Sequence, residues 1–451
     1  MKTGNEEQHF QRGLKNRHIQ MIALGGAIGT GLFYGSASVV KMAGPAITLS
    51  YLIGGIVIFF IMRALGEMAV AHPVSGSFSQ YAYQYWGDLP GFIAGWNYWF
   101  NYVVVGMAEL SVIGTYINYW LPDIPTWVSA LVCLVVVTLI NVINVKAYGE
   151  FEFWFAIIKV LAIIGMIIFG IAMIVFGVGN NGQPVGLSNL WSHGGFFPVG
   201  IYGVVMSLVL VMFSFGGVEL VGITAGEAKN PEKTIPKAVN QVVWRILLFY
   251  VGAMTVILAI FPWNQMGTTG SPFVQIFSHV GIPSAAHLLN FVVLTAALSA
   301  YNSALYSNGR MLFGLAQQGN APKFFGKLNS AGAPVNAVLV SSGFTLITVL
   351  ISYLNPEKVF MYFMALATIS IIINWAAIVI VQLKFRKYQD QAKQKVLFKM
   401  PLYPIASYFC LAFLALVVVI MAFMPDMRYS LYVAPVWLLG LYFAHKFKAK
   451  A

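Results

Sequence analysis

The stretch IQMIALGGAIGTGLFYG, Ile19 to Gly35, is apolar enough to enter a membrane yet carries Gly25, Gly26, Gly29 and Gly31 in its middle. A glycine inside a helix costs roughly 1 kcal/mol relative to alanine, so such a cluster weakens a spanning helix unless the loosened backbone is used. The rest of the chain has the same apolar character. Of 451 residues 59% are hydrophobic and only 9% charged, whereas a soluble domain has about a quarter of its residues charged. A hydrocarbon core ~30 Å thick takes about 20 apolar residues per crossing. Apolar runs bounded by polar residues, Pro or Gly fall at about 18–40, 45–71, 91–121, 125–145, 152–178, 198–226, 238–262, 285–316, 334–354, 358–384, 401–424 and 428–446. They predict an all-α polytopic membrane protein of twelve transmembrane helices, with no length left for a soluble domain.

The net charge of +12 does not concentrate in one patch with interleaved aromatics, which argues against a nucleic-acid partner. It alternates instead with the spans. If residues 1–17 form a cytoplasmic tail, the inner segments receive Lys146, then Lys229, Lys233 and Lys237, then Lys323 and Lys327, then KFRKYQDQAKQKVLFK (384–399), then Lys446, Lys448 and Lys450. The outer loops keep Lys41, Lys358 and Arg428. That is the positive-inside pattern, with both termini cytoplasmic and 447–451 as the carboxyl-terminal tail. Cys133 and Cys410 lie singly in apolar runs, and neither HExxH, GxSxG nor a histidine cluster occurs, so no metal, cofactor or enzymatic chemistry is expected.

The sixth span repeats the peculiarity of the first. It reads VMFSFGGVELVG, Val211 to Gly222, with Ser214, Gly216 and Gly217 in its middle and Glu219 just beyond. The first and sixth spans open two five-helix halves, 18–178 and 198–384, and an odd number of helices per half gives the halves opposite orientations. Broken helices in matching places of inverted repeats meet near the midplane, where freed N–H groups attract an anion and freed carbonyls a cation. Backbone donors around Gly29, Thr30 and Gly31 would hold a carboxylate, and carbonyls near Ala27, Phe213 and Gly216 an ammonium group. The competing explanation is that the glycines only let helices pack closely.

Charged groups at membrane depth are costly and face a cavity or a partner. Lys159 in EFWFAIIKVLAIIG is either a fixed cation, a proton-exchanging group, or a lysine snorkelling to the surface. Glu109 in VVVGMAELSVIG either accepts a proton or holds a helix-end donor, and Glu219 beside the sixth-span break couples protons or satisfies stranded N–H groups. Arg63, Glu67, Arg245 and Arg310 lie nearer the predicted inner ends and read as gate or surface charges. Met107, Phe213 and Phe215 would line a neutral pocket suited to rings, or simply pack.

RHIQMIALGGAIGTGLFYGSA, MRALGEMAV, PVSGSFSQYA, YGEFEFWFAIIKV, FSFGGVELVGITAGEAKNPEKTIPKA and FVVLTAALSAYNSALYSNGRMLFGLAQQGNAPK together resemble the amino-acid transporter family of the amino-acid/polyamine/organocation superfamily, over nearly the whole chain. GMAELSVIGTYI and MFSFGGVELVGITA look most like bacterial aromatic amino-acid permeases; GQPVGLSNLW and SPFV are shared with proline permeases. The resemblance implies a LeuT-like 5+5 inverted repeat, two further helices at 401–446, and proton-coupled uptake of amino acids across the bacterial inner membrane. Its expected partners are a small amino-acid substrate, protons and membrane lipid. It implies that Gly29, Thr30 and Gly31 bind the substrate carboxylate, that Phe213 closes over the substrate, and that the Gly216 carbonyl helps hold the α-amino group. It also implies that Lys159 replaces a sodium ion of sodium-coupled relatives, bridging the first and eighth helices beside Ser299 and Ser303, and that Glu109 carries a proton or organises the pocket. The expected activity is proton-coupled import of neutral, aromatic amino acids, with proline import or amino-acid exchange as the alternative.

Overall fold

Apolar runs that satisfy their own backbone hydrogen bonds are what a bilayer permits, and helices are the open-ended way to do so. In a computed structural model, residues 28–74, 78–143, 145–220, 230–267, 270–279 and 281–448 are described, and among them there is helix but no strand. A π-helical turn at Gly31–Gly35 leads into α1 (Ser36–Ala43), followed by α2 (Ile47–Ala71), a short α3 (Phe78–Tyr85), α4 (Asp88–Asn118), α5 (Thr126–Ile143) and α6 (Val145–Phe176). Then come α7 (Gly200–Ser214), α8 (Pro231–Arg245), a π-helical stretch at Ile246–Gly252 that continues into α9 (Ala253–Ile260), and α10 (Pro272–His279). The chain closes with α11 (Pro283–Gln317), α12 (Val335–Leu354), α13 (Val359–Gln391), α14 (Ile405–Phe423), the single turn α15 (Pro425–Arg428) and α16 (Ser430–Lys448).

Among the described residues nine helical stretches are long and apolar enough to cross a membrane; Gly31–Ala71 counts as one of them although it bends at Gly44, where φ is +59°. The helix over Gly200–Ser214 is shorter than a full span. Helix α4 is the central one: it packs against α11 and α13, and also touches α5, α12 and α16. Some of its polar residues are joined to those neighbours inside the bundle, as where Asn97 Nδ2 donates to the Ser370 carbonyl at 3.0 Å and to Asn374 Oδ1 at 2.8 Å.

Helix α6 shows how the sequence period sorts lipid from interior. Trp154, Leu161 and Ile168, seven residues apart, are 60%, 64% and 63% exposed. Glu152, Ala156, Lys159 and Ile163 recur at helical spacing on the other side and are buried. The same register that offers the outer stripe to lipid therefore carries two charged residues inward.

Two of the charges read as gate or surface groups are not at the surface. Glu67 is fully buried, held by Arg386 through Nε and through Nη2 at 3.0 Å, and it accepts the Met400 backbone N–H at 2.7 Å. Arg245 is 3% exposed. Both lie on helix faces turned into the bundle, which a count of residues from the span end does not reveal.

Candidate functional site

The first and sixth stretches meet where the described helix of the first begins and that of the sixth ends. Ahead of α1, the Leu32 and Phe33 N–H groups close back on the Gly29 carbonyl at 3.2 and 3.3 Å, so the helix takes shape just after Gly29. Helix α7 ends at Ser214 and gives way to turns through Glu219, with Phe215 N–H on the Met212 carbonyl at 3.2 Å, Gly216 N–H on the Phe213 carbonyl at 3.0 Å, and Gly217 at φ +93°. A positive φ of this kind is easy for glycine alone. A β-carbon on Gly31 would lie 2.6 Å from Ser214 Cα, so the two segments touch backbone to backbone. Ala27 lies outside the described residues.

The amino end of the helix at Thr30 is already occupied by a carboxylate, and it is the protein's own. Thr30 N–H donates to Glu109 Oε1 at 3.2 Å and Oε2 at 3.3 Å, 79 residues away in sequence. The lack of a side chain at Gly29 admits that carboxylate, since a β-carbon there would meet Glu109 Oε1 at 2.7 Å. A negative group on a helix amino terminus is the favourable charge for that position. Both Thr30 and Glu109 are buried.

Beneath this contact lies a chain of charges. Lys159 Nζ donates to the Ile28 carbonyl at 3.2 Å and to Ser299 Oγ at 2.9 Å, and Ser299 Oγ donates to Glu152 Oε1 at 2.7 Å. Lys159, Ser299 and Glu152 are each fully buried. Lys159 thus ties the segment just before the helix start to α11, and Ser303, one turn further along α11, faces both Glu152 and the cavity. Sequence reasoning overlooked Glu152. The available signal was its place seven residues before Lys159, two turns away on the same face of one helix.

A cavity of about 40 Å³ opens between the two segments and is bordered by Gly29, Gly31, Glu109, Phe213, Ser214, Gly216 and Gly217. That is room for a water or two and far too little for an amino acid, so the site is contracted. Phe213 meets Phe360 edge to face at 6.0 Å, and Phe360 in turn meets Tyr34 at 4.8 Å. Nothing in the sequence around Phe360 signalled this contact. From α4 the cavity receives Asn101, Tyr102 and Val105 besides Glu109; these precede Glu109 by eight, seven and four residues and share its helix face.

Met107 and Phe215, offered as pocket residues, do not border the cavity. Met107 is two residues from both Val105 and Glu109, which turns it to the other side of α4, where its carbonyl faces Thr348 Oγ1 at 3.5 Å. Phe215 is fully buried against Tyr51 and Tyr250, with ring centroids 6.0 and 4.9 Å away. Glu219 sits just beyond the turns, 1% exposed, and its Oε1 accepts the Tyr102 hydroxyl at 3.1 Å.

Comparison with known proteins agrees with this architecture. The sequence profile of the amino acid permease family matches residues 18–451. The aromatic amino acid transport protein AroP of Escherichia coli (strain K12) is 55% identical over 443 residues, covering 98% of this chain and 96% of that protein. AroP of Salmonella typhimurium (strain LT2) is 53% identical over 441 residues, 98% of this chain and 96% of that protein. An amino acid permease of Bacillus subtilis, YtnA, is 52% identical over 449 residues, 99% of this chain and 97% of that protein. These relatives are transporters, not enzymes, and with its multiple membrane-crossing helices this chain belongs to the amino acid permease family.

Proposed function

We propose that the protein is a proton-coupled secondary importer of neutral, aromatic amino acids in the bacterial inner membrane, working by alternating access. The observation that carries this reading is the Glu109 carboxylate seated on the Thr30 N–H at the contact of the two interrupted segments. An amino acid's own carboxylate is the same chemical group and would compete for the same donor. The high identity to transport proteins named for aromatic amino acids supports the substrate class.

Coupling then has a physical basis. A ligand shifts a conformational equilibrium only through different affinities for its states. When the substrate carboxylate takes the Thr30 N–H, the displaced Glu109 carboxylate loses a charge-assisted hydrogen bond in a buried place, and a proton relieves the stranded charge. Loss of that proton on the inner side lets Glu109 return and expel the substrate. Lys159, bound to the Ile28 carbonyl, transmits its own charge state to the same segment. Phe213 and Phe360 act as the closing rings over the site, and the carbonyls of Phe213 and Gly216 accept the ammonium group; Glu219, bound to Tyr102, is the third proton-coupling candidate.

In this reading the twelve spans cross the membrane with both termini inside. The first ten form inverted repeats at 18–178 and 198–384, and 401–446 supplies two peripheral helices against lipid. Uptake of labelled tyrosine, tryptophan and phenylalanine into proteoliposomes, with and without an imposed pH gradient, tests it. Accumulation that needs the gradient and is competed by aromatic amino acids is expected. Competition by proline with indifference to all three aromatics would transfer the assignment to a proline permease, and gradient-independent counterflow alone would make the protein an exchanger.

A further inference from the structure

Asn101 takes no part in the head-group contacts described above, yet it is 1% exposed, borders the cavity, and has no hydrogen-bond partner on either Oδ1 or Nδ2. A buried carboxamide left unpaired carries the desolvation cost of donors and acceptor alike, and native interiors seldom tolerate it without a ligand or water to pair with. Its neighbours in the wall do not offer the missing bonds. The Tyr102 hydroxyl is engaged with Glu219 at 3.1 Å and receives the Tyr98 hydroxyl at 3.3 Å, while Val105, Phe213 and Leu220 present apolar groups. The wall therefore combines apolar groups and polar side chains that already have partners with one amide free to bond, which is the composition of a site for an amphipathic ring.

Position assigns the ring's far edge to that amide. Asn101 precedes Glu109 by eight residues on one face of α4, about 12 Å along the axis. A substrate whose carboxylate takes the Thr30 donor beside Glu109 and whose side chain extends along α4 directs its far end toward Asn101. Tyrosine and tryptophan have the length for most of that interval, and the asparagine side chain spans the remainder. We propose that Asn101 is the specificity-determining residue of the side-chain end of the site, its carboxamide pairing with the phenol O–H of tyrosine or the indole N–H of tryptophan and so ranking both above phenylalanine. Phenylalanine fills the same apolar walls but leaves the amide stranded, and sites built to bond a polar group discriminate against the analogue that lacks it. The inference rests on the aromatic amino-acid reading given above.

Equilibrium binding of the three amino acids to the purified full-length protein in lipid nanodiscs tests it, for the parent and for Asn101→Leu, which keeps the approximate volume and removes the amide. The parent should bind tyrosine and tryptophan about tenfold more tightly than phenylalanine, and Asn101→Leu should bring that ratio close to one, by weakening the first two while sparing phenylalanine. The parent's ratio tests the idea even if the variant fails to fold, because a ratio near one in the unaltered protein already overturns it. A parental preference that Asn101→Leu leaves intact, or an equal loss for all three ligands, also overturns it while leaving the aromatic reading standing. Binding of proline with none of the three aromatics would overturn both.

Discussion

Replacing Gly31 by alanine adds one methyl group where the start of the first helix meets the end of α7. Its β-carbon would lie 2.6 Å from Ser214 Cα and 3.1 Å from Ser214 Oγ, against an ordinary contact of 3.4 Å, so the two backbones must part by about 0.8 Å (3.4 minus 2.6). The obstacle is main chain, and it is anchored: Ser214 Oγ donates to the Leu210 carbonyl at 3.2 Å and the Ser214 carbonyl accepts the Tyr250 hydroxyl at 2.8 Å. Forcing an extra carbon into close packing costs about 1–3 kcal/mol. At about 1.4 kcal/mol per factor of ten, that disfavours the closed contact by roughly five- to a hundredfold. A thermal melt of the purified variant in nanodiscs, paired with tyrosine binding, measures the consequence; the melting temperature should fall with the protein still folded, and the affinity should depart from the parent's by up to that factor. Gly29→Ala is the informative companion, because its β-carbon meets the end of a side chain, Glu109 Oε1 at 2.7 Å, which can swing aside. That variant should give up the Thr30 to Glu109 bond without parting the two backbones. A Gly31→Ala protein with parental affinity and parental melting temperature would show that the two segments do not approach as closely as the reasoning requires.

Lys159→Ala removes the cation that joins the Ile28 carbonyl to Ser299 and should abolish accumulation driven by a pH gradient; undiminished accumulation by a correctly inserted variant excludes a coupling role. Glu152→Gln keeps the size and the Ser299 hydrogen bond but deletes a charge facing Lys159, so substrate binding should persist while the pH profile of uptake moves, and an unmoved profile would reduce Glu152 to a structural acceptor. Glu67→Ala strands the buried Arg386 guanidinium, a kind of loss worth about 3–5 kcal/mol, and should lower the melting temperature by several degrees. Substituting Arg386 as well should restore part of it; a single variant as stable as the parent would mean that the pair adds nothing.

The amino-acid sequence by itself determined the class of the molecule and two places where a helix begins or ends. Apolar runs long enough for a bilayer, and glycines clustered at Gly29–Gly31 and Gly216–Gly217, are local properties that composition and chain order carry directly. The register of Lys159 was legible too, since the period of α6 separates Leu161 and Ile168 from Ala156 and Ile163. What the tertiary structure alone decided is which separated groups share the space between helices. That Glu109 rests on Thr30, that Ser299 links Lys159 to Glu152, and that Phe360 meets Phe213 are relations across 79, 140, 147 and 147 residues. The same applies to the sides chosen by Met107 and Phe215: a helix turns 100° per residue, so Met107, two places from Val105 and Glu109, points away from the cavity toward α12, while Phe215 lies in the turns past α7 and is packed on Tyr51 of α2 and Tyr250 of the π-helical stretch before α9. Sequence carries the period of a helix, but its absolute rotation is set by the neighbours that bury it.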